Sequence, residues 1–169
     1  RGRAGRHLPG GAALASGPAL AETLEITGEL VTSTCNVGTT SGAVTVPMGK
    51  VDLASVNAAE RAGQKNFTIS LDCTGSGAAQ EVGIRFGGAP FGSTGFLALN
   101  AGSTAANVGV AIYDANGRLQ KIGDDPASFV NIPANGTESL RFSAWYASPG
   151  KNATAGAANA TGDFVVVYK

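Results

Sequence analysis

The chain of 169 residues carries twelve Lys and Arg against twelve Asp and Glu, with 14% charged residues in all. That balance excludes the one-signed basic field by which a protein holds nucleic acid or an anionic membrane surface. Its 25 glycines, with many Thr, Ser, Asn and Ala and few Lys or Glu, suit short strands joined by turns, so an all-β chain of one domain is the expected class.

Residues 1–21 read RGRAGRHLPGGAALASGPALA: three arginines, a weakly apolar patch, a Ser-Gly-Pro breaker and the triplet Ala19-Leu20-Ala21. That order has the look of the end of a secretory leader, with maturation at Glu22. A second triplet, Ala13-Leu14-Ala15, offers an alternative start at Ser16, but Pro18 just upstream of Ala21 favours Glu22. No stretch elsewhere reaches the roughly 18 apolar residues a membrane span needs, so an exported, soluble product is expected.

Residues 22–34 follow as an extension and the start of a first strand. In TLEITGEL, Leu24 and Ile26 share one side, opposite Thr23, Glu25 and Thr27, until Gly28 breaks the pattern. The two cysteines, Cys35 and Cys73, are either a disulfide or two buried thiols. Export to an oxidising compartment makes the disulfide the expected state. Closing such a loop stabilises a fold by roughly 4 kcal/mol in the chain-entropy picture. Without a Cys-x-x-Cys pair the bond is structural rather than catalytic.

Period-2 alternation then recurs along the chain, the signature of strands buried on one face. A short helical turn is expected around 53–62. FTISLDC aligns Phe67, Ile69, Leu71 and Cys73 on one face, and EVGIRF aligns Val82, Ile84 and Phe86. NVGVAIYDANGRLQKI turns Val108, Val110 and Ile112 inward before an Asn116-Gly117 hairpin turn. SLRFSAWYAS continues with Leu140, Phe142, Ala144 and Tyr146, leaving Trp145 on the opposite face as a packing residue near a rim. The clusters TGSGAAQ, GGAPFGSTG and PANGTE punctuate these runs at spacings that suit a β-sandwich with Greek-key connections.

Several chemistries are excluded by what the chain lacks. His7 is the sole histidine, and it lies in the segment export would remove. A Ser/His/Asp triad, a Cys/His pair or a multi-histidine metal site cannot then be built, no cofactor is expected, and the chain reads as a non-enzyme. Asp124 and Asp125 precede Pro126 in what reads as a solvated turn, since no further spaced acids follow to complete a calcium loop. The S-x-x-K spelled by residues 148–151 lacks its companion motifs. The N-x-S/T triplets at Asn66, Asn135, Asn152 and Asn159 are of a kind that arises by chance in an Asn- and Thr-rich chain.

The last residues, ATAGAANATGDFVVVYK, raise a question of pairing. Phe164, Val166 and Tyr168 alternate with Val165 and Val167, so both faces are apolar and the strand reads as interior rather than a polar edge. No later strand can cover it. A surplus alternating segment at the start and an unpaired strand at the end are complementary, and a chain with both can polymerise head to tail.

ITGELVTSTC with Gly28 ahead of Cys35, VPMGKVDLASV, FTISLDC, NVGVAIYDANGRLQKIG, LRFSAWYAS and the C-terminal run, in which Gly156 stands fourteenth from the end and Tyr168 penultimate, carry a resemblance to chaperone–usher fimbrial subunits of the type 1 pilin family. It covers residues 24–169 and implies an incomplete immunoglobulin-like β-sandwich, domain 35–169, that lacks its last strand and is completed by a donor strand. It further implies a structural subunit of a surface fibre used in adhesion, whose partners are a periplasmic chaperone, an outer-membrane usher and neighbouring subunits. Gly156, Phe164, Val166 and Tyr168 would accept the chaperone or donor strand, and Leu24 and Ile26, with Leu20 if retained, would donate. The alternative is a tip adhesin that binds host glycans. Such adhesins carry an additional lectin domain, for which the chain has no room.

Overall fold

The computed structural model describes residues 23–27, 35–38 and 43–169. Two compact units divide the chain, Arg1–Val31 and Thr32–Lys169. Of the first, residues 23–27 take up no strand and are exposed throughout, Leu24 at 84% and Ile26 at 86%. The expected leader, its cleavage sites, Leu20 and Gly28 lie outside the described residues.

The second unit is built from two antiparallel sheets. Its elements are β1 (Asn36–Val37), α1 (Leu53–Ala59), β2 (Arg61–Asp72), β3 (Gln80–Gly88), β4 (Gly109–Asp114), β5 (Val130–Ile132), β6 (Thr137–Ala147) and β7 (Gly162–Tyr168). One sheet has the order β1-β2-β6-β4, the other β5-β3-β7. The expected β-sandwich is therefore present, and the alternation that defined its strands defines its inside. Ile69 and Leu71 of β2, Val82, Ile84 and Phe86 of β3, Ile112 of β4 and Leu140 and Phe142 of β6 form one buried cluster between the sheets. At its centre the Phe142 ring stacks on Phe67 at 5.6 Å and meets Phe86 edge-on at 5.1 Å, offset arrangements that aromatic quadrupoles favour.

The helical turn is shorter than 53–62 because a strand claims the residues after it. Asp52 caps α1 by accepting the Ser55 N–H at 3.0 Å, and Glu60 ends it in the left-handed region at φ 67°. Arg61 then enters β2, which pairs with β6 from Arg61↔Ala147 to Asp72↔Thr137 with a bulge between Ala62 and Lys65. At the far end of β2, Cys73 is bonded to Cys35, their Cα atoms 4.0 Å apart. That bond fastens the two-residue β1 to the sheet, where Asn36 faces Asp72. The Asn116-Gly117 turn forms as expected, with Gly117 at φ 75° and Asp114 N–H donating to the Arg118 carbonyl at 2.9 Å. The chain it returns makes only one bridge, Tyr113↔Leu119.

Candidate functional site: an open groove beside the last strand

Strand β7 lies against β3 from Val82↔Tyr168 to Gly88↔Gly162. Among the described residues no strand pairs with its other edge, so the segment that reads as interior from its apolar faces is an edge strand. Its side chains alternate as the sequence requires. Phe164, Val166 and Tyr168 pack on the main core, whereas Val165 is 45% exposed. The Phe164 ring meets Phe86 at 6.3 Å. An apolar edge to which no described strand is paired invites a further strand.

Residues 43–49 form the facing wall, and the reading of the sequence gave them no role. Val44, Val46 and Met48 turn inward onto the core clusters while Ala43, Thr45 and Pro47 face out, a strand-like alternation that enters no sheet among the described residues. The signal was present in AVTVPM, but Pro47 removes one backbone donor and masked it. Between this wall and residues 158–164 runs an open cleft of about 1020 Å³. Its floor is the edge of the core, including Phe67, Ile69, Phe86, Leu97, Val110 and Ile112. Seven extended residues span about 20 Å, so the wall is long enough to pair with a strand laid along it.

One side chain ties the floor to the rim. The Tyr146 hydroxyl donates to the Ala158 carbonyl at 2.6 Å, and burial pushes its pKa above the ordinary 10.0. Desolvation disfavours the phenolate, so the group remains a donor throughout the physiological range.

The proposed acceptor residues do not share one place. Phe164 lines the cleft. Val166 and Tyr168 continue along β7 over the main core, and the Tyr168 hydroxyl reaches the backbone of Cys35 at 3.2 Å. Gly156 lies before β7 in an exposed loop, with φ +153°. A Cβ there would come 2.4 Å from Thr104 Oγ1 and 2.6 Å from the Ala105 nitrogen, so the loop closes only around glycine. The next residue is held by three hydrogen bonds: Ala157 N–H to Thr104 Oγ1 at 2.8 Å, and the N–H groups of Thr104 and Ala105 to the Ala157 carbonyl at 3.0 Å each. Among the described residues no cluster of His, Cys, Asp and Glu could hold a metal ion, and no helix is long and apolar enough to cross a membrane.

Comparison with known proteins agrees with this geometry. The family model described as fimbrial protein matches residues 24–169. The C chain of the type-1 fimbrial protein of Escherichia coli is 38% identical over 152 residues, 87% of this chain and 83% of that protein. A type-1 fimbrial protein subunit of Serratia marcescens is 32% identical over 158 residues, covering 87% and 86% respectively. The crystal structure of the P pilus rod subunit PapA superposes with a TM-score of 0.64 at 19% identity, over 81% of this chain and all of that one, which shows a shared fold. The fold is thus that of an incomplete immunoglobulin-like sandwich, and the chain belongs to the fimbrial protein family of structural pilus subunits.

Proposed function

We propose that this subunit polymerises by donor-strand exchange, its groove receiving the N-terminal extension of the next copy. The observation that carries this reading is the cleft between residues 43–49 and the open edge of β7, two strand-like walls whose backbone groups lack ladder partners on the facing sides among the described residues. A strand laid between them pairs with both and covers the core rim. Residues 23–27 supply the complementary pattern, since Leu24 and Ile26 alternate and stand exposed. Their burial, with Leu20 if it is retained, contributes on the order of 5 kcal/mol before backbone pairing. Slow unfolding of the completed sandwich adds kinetic persistence.

A subunit with an open groove needs cover before assembly. In the proposed pathway a periplasmic chaperone occupies the β7 edge through Phe164, Val166 and Tyr168, with Gly156 shaping the approach, until an outer-membrane usher exchanges it for the next subunit. The fibre then stands on the cell surface, with a structural role in adhesion and without catalysis. The test is to append residues 22–33 after Lys169 through a short linker. The expected product is a monomer with a raised melting temperature, whereas the unmodified mature chain aggregates or polymerises. No thermal gain from the appended segment contradicts donor-strand exchange.

A further inference from the structure

We propose that the outer face of the β1-β2-β6-β4 sheet is a lateral contact site that takes the acidic turn at Asp124 and Asp125 of a second copy of this chain. The inference rests on the fibre reading and adds to it a contact away from the groove.

The site is built around Arg61. Its guanidinium carbon lies 4.3 Å from the centre of the Tyr113 ring and 4.4 Å from that of Trp145. The rings themselves meet edge-on at 6.3 Å, and Trp145 Nε1 donates to Ser143 Oγ at 3.0 Å, which fixes the indole. The ring contacts hold the guanidinium without neutralising its charge, so N–H donors remain for a planar anion. Arg61 and Arg141 line the same cleft, of about 700 Å³, and among the described residues neither guanidinium is hydrogen-bonded or paired with a carboxylate; Arg85 and Asp125, outside the cleft, form an ion pair. Asp114 also lines the cleft, but it is spent internally. Its Oδ1 accepts the N–H groups of Asn116 and Arg118 at 2.9 Å each, and its Oδ2 accepts the Ser128 hydroxyl at 2.8 Å. The remaining polar lining includes Gln64, Asn66 and Thr68, which are neutral. The cleft therefore presents two guanidinium groups with unmet demand.

The matching surface lies on the other sheet. Val82 and Ile84 turn into the core, so Gly83 and Arg85 between them face outward. A Cβ on Gly83 would come 2.5 Å from Pro126, which places the turn carrying Asp124 and Asp125 over the outer face of β3. Asp125 meets Arg85 at 3.4 Å, but with 83% of its side chain exposed that pair leaves the carboxylate available. Two adjacent carboxylates face out from one sheet, and two guanidinium groups face out from the other. A contact between them is heterologous, each copy offering one surface to one neighbour and the other surface to the next. Exposed ion pairs are individually weak, yet copies already linked in a fibre meet at high effective concentration.

The test compares fibres of the unaltered chain with those of R61E/R141E, of D124K/D125K and of the variant combining all four changes. Donor-strand linkage is read as a ladder of multimers that resists detergent, and lateral packing as fibre width and mass per unit length by electron microscopy across a salt series. The expected result is an equal ladder in all four, single-file thin fibres from each double reversal, and restored width in the combined variant. The milder R61Q and D125N should thin the fibres in the same direction at a lower salt concentration than the unaltered chain requires. Unchanged width in both double reversals, or a combined variant no wider than either, overturns the lateral contact. Absence of the ladder from the unaltered chain overturns the donor-strand reading instead, a result distinguishable because no fibres form at all.

Discussion

The Tyr168 hydroxyl accepts the backbone N–H of Cys35 at 3.2 Å, joining residues 133 apart in sequence. The Cys35 carbonyl oxygen lies 3.5 Å from the same hydroxyl. The end of β7 is thus tied to the residue whose sulfur is bonded to Cys73. Replacing Tyr168 with Phe keeps the ring and removes the oxygen, so a loss of about 1 kcal/mol is expected, read as a lowered urea midpoint in the chain carrying the appended segment. An unchanged midpoint means the hydroxyl contributes only position.

The two faces of β7 should respond differently. Phe164 packs on Phe86, and Phe164→Ala is expected to cost about 2 kcal/mol, less than a fully buried ring because it is only partly buried. Val165 points outward at 45% exposure, and Val165→Thr should stay within about 0.5 kcal/mol. Comparable losses at both positions contradict the observed facing.

Leu24 and Ile26 are exposed, so replacing both with Asp removes no packing from the single chain. Melting of the isolated subunit should be unaltered, while the detergent-resistant ladder is lost. A ladder that survives both changes assigns the donor role to other residues.

Gly156→Ala is expected to destabilise the domain by about 1–3 kcal/mol, since the new methyl must displace the backbone at Thr104 and Ala105 from a φ of +153° that alanine rarely adopts. Differential scanning calorimetry gives the shift, and hydrogen exchange at Ala105 and Ala157 should rise first.

Asp72 accepts the Thr74 hydroxyl at 2.6 Å and the Thr74 N–H at 2.9 Å. These bonds, the side-chain one foremost, hold its pKa below the ordinary 3.8. A depressed carboxylate contributes stability that is present above its unfolded pKa and lost as pH falls through the folded one. Asp72→Asn should therefore be less stable than the unaltered chain at neutral pH, with the gap closing only under strong acid. A pH-independent gap points to a cause other than ionisation.

The strands legible in the sequence were those with one face in the core. Ile69 and Leu71, or Val82, Ile84 and Phe86, leave a period-2 trace because burial selects every second residue. The first half of β2 left none: Gln64, Lys65 and Asn66 are all exposed and a bulge interrupts their register. Three-residue β5 is too short to show a period. The wall at Val44, Val46 and Met48 did alternate, but a segment that enters no sheet among the described residues is hard to recognise as a strand. Apolar side chains at Val165 and Val167 suggested an interior strand, whereas the fold leaves that strand at an edge. The pattern recorded the need for a neighbour and not its presence.

The covalent link at Cys35 sets the path of tension through the subunit. A pull applied at Cys35 passes through sulfur to Cys73, just past the end of β2, and bypasses residues 36–72. Strand β2 lies within that shielded stretch, so its ladder to β6 is spared the load. The helix and the groove wall at residues 43–49 fall inside the same stretch, so that side of the groove keeps its shape under tension.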